Sequence, residues 1–225
     1  MRPRTYSHVV FDWDGTLVDS MHYKLKNFVD VFLEIGIGCE SELVRQHEIF
    51  TGLPRQLLFS YTFRGLTGNE LEAELFNELS TKYTERNQHD SIGAQLFPDA
   101  TEFLTAWTKS EKQFSISSSA HPDEVQVSAT RLLKSYPPLC ALGSEGAFHK
   151  GIPHISLICE KFSLSKSEIL FVGDDHHDGT LADAAGVDFI RIVRDKPRKT
   201  ADNTVASLID LLDNSGFQSA REVDA

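Results

Sequence analysis

The chain has 225 residues, 22 Lys and Arg against 33 Asp and Glu, and a formal net charge of −11. Its 40% hydrophobic and 24% charged residues are ordinary globular usage, which excludes a disordered, collagenous or low-complexity chain. The acidic balance argues against nucleic-acid binding, which needs a basic face, and leaves any anionic substrate to be drawn in by a metal or a focused Lys/Arg site.

The first apolar run of strand length is His8–Phe11, which leads into Asp12. From about residue 20 to 92 the period is helical. Leu25, Phe28, Val31, Phe32 and Ile35 form one apolar stripe closed by Gly36, and Leu71, Leu75 and Leu79 form another. This block predicts a second, helical unit set over the strand ends; the alternative is helices that merely flank the sheet. Phe103, Leu104 and Trp107 follow Pro98-Asp99 as a helix, and Phe114–Ile116 is a strand leading into Ser117-Ser118-Ser119. Val125, Leu132 and Leu133 follow Pro122-Asp123 as the next helix, and Leu139–Leu142 is a strand before Gly143. Ile155, Ile158, Cys159 and Phe162 are spaced as a helix, and Ile169–Val172 is a strand before Gly173-Asp174. Phe189–Val193 is the fifth strand. Val205, Leu208, Ile209 and Leu212 repeat helical spacing, and the last dozen residues are polar and expected to fray. Strands alternating with helices predict crossover connections and an α/β fold on a mostly parallel sheet.

At roughly 100–200 residues per domain the length allows one or two domains, and a chain this long buries about 70% of its unfolded surface without needing staples. Cys39, Cys140 and Cys159 are scattered with no CxxC pair, so neither a disulfide framework nor a zinc knuckle is expected and a reducing, cytoplasmic setting is. The polar start has too short an apolar run for a secretory signal, and no stretch is long enough for a membrane span.

Two segments carry chemistry. In Phe11-Asp12-Trp13-Asp14-Gly15-Thr16 two carboxylates sit two apart at a strand end, where they converge on one point if the strand persists that far. Two such anions repel. Either a divalent cation lies between them, or one is a carboxylic acid beside a carboxylate nucleophile. Gly15 lets the backbone turn and present its N–H groups. In Gly173-Asp174-Asp175-His176-His177-Asp178 a second strand ends in acid. Strand carboxyl ends share one edge of a parallel sheet, so this cluster can meet Asp12 and Asp14, and hard oxygen donors favour Mg²⁺ over the transition metal that the histidines suggest. The hydroxyls of Ser117–Ser119 could hold phosphate oxygens, and Lys150 lies between strands whose ends carry the other groups. No P-loop, dinucleotide fingerprint, HExxH, GxSxG or EF-hand pattern is present.

The Asp12–Ser20 segment resembles the opening motif of the haloacid dehalogenase-like superfamily of phosphohydrolases. Ser118, Lys150, Gly173-Asp174-x-x-x-Asp178 and Ala184-Ala185-Gly186 follow in that family's order. The resemblance implies a Rossmann-like parallel-sheet core (1–19 and 93–225) with an inserted all-α cap (20–92). It implies an Mg²⁺-dependent phosphatase, with Asp12 as nucleophile, Asp14 as general acid/base and Mg²⁺ held by Asp12, the Asp14 backbone carbonyl, Asp174 and the more distant Asp178. Ser118 and Lys150 would bind the phosphoryl group. Gly15, Thr16 and Ser119 are further candidate substrate contacts, and Arg55 a candidate from the insert, with His22 and Lys24 near the hinge. Asp14 separates this chain from the dehalogenase and phosphonatase-like branches, which lack that carboxylate. Ser119, His121, Gly151 and Asp175 depart from the residues frequent at those places. The implied substrate is a small phosphorylated metabolite and the implied state a monomer or small homo-oligomer. A phosphomutase and a non-catalytic metabolite sensor are the rival readings.

Overall fold

The computed structural model describes residues 6–194 and 203–212; the polar tail expected to fray lies outside them. β1 (His8–Phe11) is wholly buried and pairs in parallel with β2 (Gln113–Ser117) on one side and β4 (Ile169–Gly173) on the other. β3 (Ala141–Leu142) extends the sheet beyond β2, and β5 (Asp188–Ile192) and β6 (Thr204–Val205) extend it beyond β4, every pair parallel. The order is β3-β2-β1-β4-β5-β6. The chain winds outward from β1 to β3, then crosses back to β4, so connections diverge between β1 and β4. In such sheets a crevice opens at that point, at the carboxyl ends of the strands.

Side-chain alternation explains how two layers cover the sheet. Val9 and Phe11 face one way, into a core with Phe103 and Trp107 of α5 (Pro98–Lys109) and Val125 of α6 (Pro122–Leu132). Val10 faces the other way, against Ile155 and Ile158 of α7 (Ile152–Phe162) and Ala182 of α8 (His176–Ala185).

Four helices lie between Asp19 and the start of α5: α1 (Met21–Glu34), α2 (Glu40–Phe50), α3 (Arg55–Thr67) and α4 (Ala73–Ser91). They close around a core of their own, with Phe28, Phe32, Leu43, Phe59, Leu79 and Tyr83 buried and Leu25 packed at its edge. The unit is entered and left through two antiparallel linkers. Asp19 N donates to Gln95 O at 3.0 Å and Phe97 N to Leu17 O at 2.9 Å. No helix among the described residues is long and apolar enough to cross a membrane.

The helix expected over Val205–Leu212 is not formed. Thr204 and Val205 pair with β5 instead, and a 3-10 turn spans Leu208–Leu211. Leu208 and Leu211, the two fully buried residues there, are three apart, a spacing that a 3-10 turn stacks on one side as well as an α-helix does. Asp99 Oδ2 accepts from Leu208 N at 2.9 Å and fixes the turn against α5. The third strand is also shorter than expected, with only Ala141 and Leu142 in the ladder.

Candidate active site

Asp12 is the first residue beyond β1, and its N–H continues the ladder by donating to Val172 O at 2.8 Å. The strand does not persist to Asp14, so the expected convergence of Asp12 and Asp14 as i, i+2 strand neighbours does not occur. Trp13 O accepts from both Leu17 N and Val18 N, and the chain turns sharply at Gly15, whose φ is +79°. A side chain at Gly15 would be strained at that φ and its Cβ would collide with the Asp174 carboxylate. The turn aims Asp14 elsewhere: its carboxylate accepts from Ser20 Oγ at 2.6 Å and pairs with Lys24 Nζ at 2.5 Å.

Asp12 instead meets the acids of the β4–α8 segment. Asp174 leaves the end of β4. Asp178 lies in the first turn of α8, where Asp175 caps the helix by accepting from His177 N at 2.7 Å. Carboxylate oxygens of Asp12, Asp174 and Asp178 lie within 4.8 Å of one another. Thr16 Oγ1 donates to Asp174 Oδ1 at 3.1 Å and reaches Asp12 Oδ2 at 3.5 Å. Lys150, buried, places its Nζ 2.6 Å from Asp12 Oδ1 and 2.5 Å from Asp178 Oδ1. Burial works to deprotonate Lys150, but the Asp12 and Asp178 carboxylates outweigh it and hold the ammonium above its ordinary pKa. Burial, together with Asp178 and Asp174, pushes the Asp12 carboxyl well above the carboxylate range against the pull of Lys150. Asp174 is raised by burial and by Asp178. Three acidic side chains thus crowd around one ammonium, which itself contacts Asp12 and Asp178. A hard divalent cation such as Mg²⁺ fits this donor set, because it would supply the missing positive charge to buried oxygen ligands.

Ser118 is buried at the end of β2. Its Oγ accepts from Ala120 N at 3.0 Å, and its carbonyl accepts from Ser144 Oγ at 2.7 Å. Ser144 also accepts from Lys150 N at 2.9 Å, so one hydroxyl ties the Ser118 loop to the Lys150 loop. Ser119 Oγ donates to Gly52 O at 3.3 Å, bringing the helical unit over the sheet edge. Asp12, Asp14, Ser118, Ser119, Lys150, Asp174 and Asp178 all line one cavity of about 110 Å³, with Arg55, Lys24, Met21, His47, Leu58 and Tyr83 of the helical unit on its other side. An adjoining cavity of about 360 Å³ shares Arg55 and Ser119.

Three histidines stand apart. His176 is exposed and sits against Arg191, and neither it nor His177 belongs to the carboxylate group. His22 is exposed beside Asp19. Three residues not singled out from the sequence also shape the site. Ser144 joins two loops. Arg194 donates to Gly15 O at 2.8 Å and Thr16 O at 2.7 Å, and stacks on Phe97. Glu124 of α6 takes the Arg55 guanidinium and lies 3.8 Å from Lys24 Nζ.

A family model for haloacid dehalogenase-like hydrolases matches residues 9–192. No curated protein sequence matches the chain. Among solved structures, a predicted phosphoglycolate phosphatase from Haemophilus somnus is 20% identical, with a TM-score of 0.75 over 92% of this chain and 97% of that one. A haloacid dehalogenase-like family protein from Streptococcus pneumoniae is 21% identical, with a TM-score of 0.73 over 95% and 99%. A mutant of CbbY from Rhodobacter sphaeroides, bound to xylulose-1,5-bisphosphate, is 12% identical, with a TM-score of 0.74 over 92% and 96%. At these identities the likeness establishes a shared fold along nearly the whole chain.

Proposed function

The chain belongs to the haloacid dehalogenase-like hydrolase family, and from that membership we propose that it is an Mg²⁺-dependent phosphatase that hydrolyses a small phosphorylated metabolite through an aspartyl-phosphate at Asp12. One observation carries the reading: Asp12 is buried with Lys150 and Asp178, beside the half-buried Asp174, at the divergence of β1 and β4, and opens on a cavity that Asp14 also lines. The similar structures are named for a phosphoglycolate phosphatase or hold a bisphosphate or phosphate, which supports a phosphoryl substrate.

The chain's own groups divide the work. An Asp12 carboxylate oxygen attacks phosphorus as the P–O bond to the alcohol breaks, and Asp14 donates the proton that the leaving oxygen needs. After the alcohol departs, Asp14 takes a proton from water, which attacks phosphorus and returns the Asp12 carboxylate and inorganic phosphate. The covalent intermediate divides one difficult displacement into two easier ones. Ser20 and Lys24 hold Asp14 toward the cavity. Lys150 stands against Asp12 where negative charge gathers on the transferring group. Asp12, Asp174, Asp178 and the Asp14 carbonyl would hold Mg²⁺, which when bound supplies Lewis-acid stabilisation of the phosphoryl oxygens. The Ser118 hydroxyl and the Thr16 N–H complete the phosphoryl site, whereas the Gly15 N–H, expected to contribute, is already donated to Val18 O at 2.9 Å; residues 20–92 act as the cap that shapes the alcohol end. The three cysteines are unpaired, which supports a reducing, cytoplasmic setting.

The test is release of p-nitrophenol from p-nitrophenyl phosphate with Mg²⁺ and with EDTA. Activity is expected with Mg²⁺ only. Asp12→Asn should lose about a thousandfold or more while its circular dichroism is unchanged. Turnover at the wild-type rate by this variant would overturn the assignment.

A further inference from the structure

Three cationic side chains line the cavity above Asp12: Lys24, Arg55 and Lys150. Each is already paired. Lys150 is held between Asp12 and Asp178. Lys24 lies 2.5 Å from Asp14 and 3.8 Å from Glu124. Arg55 directs one amino group onto Glu124 and the other onto Thr84 Oγ1 at 2.6 Å and Ser80 Oγ at 3.2 Å. Its plane lies 4.9 Å from the Tyr83 ring centre. Glu124 is buried on the sheet side of this contact, and Asn87 Nδ2 donates to it at 3.3 Å. Glu124 therefore neutralises Arg55 from behind and, together with Asp14, balances the two cations that the cap brings to the alcohol end of the cavity.

What remains of the lining adds no further Lys or Arg, and the Asp175 carboxylate stands beside Gly52 in the same cavity. Met21, Leu53, Leu58 and Tyr83 are apolar or aromatic. His47 is buried, and burial and the neighbouring Lys24 push its pKa down to about 4, so it is neutral at pH 7. An alcohol bearing a carboxylate or a second phosphate would need a counter-ion there. It could take Arg55 only by displacing Glu124 and leaving that buried carboxylate with Asn87 and the more distant Lys24 alone, which is unfavourable.

We propose that this site takes the phosphomonoester of a neutral alcohol and rejects esters carrying a second anion, with Glu124 as the specificity-determining residue. The inference rests on the phosphatase reading above and adds the charge class of the substrate. Glu124 touches no substrate; it is a positioning residue that acts through Arg55 and Lys24.

The test compares 2-hydroxyethyl phosphate with 2-phosphoglycolate, which share a two-carbon skeleton and differ in whether the distal carbon is an alcohol or a carboxylate. For the wild-type protein, kcat/KM should favour 2-hydroxyethyl phosphate by about tenfold or more, the scale of one charge-assisted hydrogen bond. Glu124→Gln should shift the ratio toward 2-phosphoglycolate by about tenfold to a hundredfold. A purely structural role for Glu124 would lower both rates together. A wild-type preference for 2-phosphoglycolate, equal rates, or a ratio unmoved in Glu124→Gln would overturn the proposal. If thermal melts show that Glu124→Gln does not fold, the wild-type ratio decides alone. If the wild-type protein hydrolyses neither ester nor p-nitrophenyl phosphate, the phosphatase reading fails separately. Calorimetric binding of the two esters to the Mg²⁺-loaded protein then decides the charge preference, tighter 2-hydroxyethyl phosphate supporting it and equal or tighter 2-phosphoglycolate overturning it.

Discussion

Gly15 shows how one residue without a side chain lets two distant acids approach. Its φ of +79° is left-handed, and the space where a Cβ would stand is filled by the Asp174 carboxylate. Gly15→Ala therefore meets two obstacles, backbone strain of about 1–2 kcal/mol and displacement of Asp174. Urea denaturation should show a loss of that order, and kcat on p-nitrophenyl phosphate should fall further than stability does; a variant equal to wild type in both would remove Asp174 from its place against the loop. Asp12 and Asp174 are legible in the sequence because each stands at the end of an apolar strand, whereas Lys150, well beyond Leu142 and just before α7, is legible only from its place between those strands and in the family's motif order. Glu124 is not. It reads as one of several acids in the first turn of a helix, and its meaning comes from Arg55, 69 residues away, and Asn87, 37 residues away. Only tertiary packing brings those together.

In the proposed function the helical unit is the element on which substrate choice depends. Its stripe Leu25–Ile35 is readable because the helical period is clean, and Phe28 and Phe32 are buried as that stripe requires. Phe59 occupies its centre, with ring contacts at 5.4 Å to Phe32 and to Tyr83 and 5.7 Å to Phe28. Phe59→Ala should cost about 3–5 kcal/mol by thermal melting. Because this core is separate from those of the sheet, the loss should be greatest for the cap, which hydrogen exchange would report as deprotection of α1 to α4 ahead of β1 and β4; uniform deprotection would show instead that the two units unfold as one. The sequence is less informative where short elements are set by their neighbours. The stretch from Val205 to Leu212 has helical spacing, yet Val205 pairs with β5 and Leu208 N is claimed by the Asp99 carboxylate.

At the scale of the whole molecule, the β1–β4 divergence gathers Asp12 from the first strand, Ser118 from the second, Lys150 from beyond the third and Asp174 from the fourth around one cavity, and the helical unit lines its other side. A net charge of −11 gives the protein no general attraction for phosphate esters, so capture depends on this one site. The parallel α/β core and the helical insert are legible because hydrophobic periods change where the elements change. The direction of the Asp14 side chain is not, because it depends on a turn after Phe11 and on Lys24 meeting it from the cap. Covalent capture at Asp12 is the step on which the proposed phosphatase chemistry depends. Rapid acid quench during turnover with Mg²⁺, followed by borohydride reduction and peptide mass spectrometry, should convert residue 12 to homoserine, the signature of an acyl phosphate, and Asp14 should remain intact. Sustained phosphate release with Asp12 unmodified, or the reduction product at another carboxylate, would contradict it.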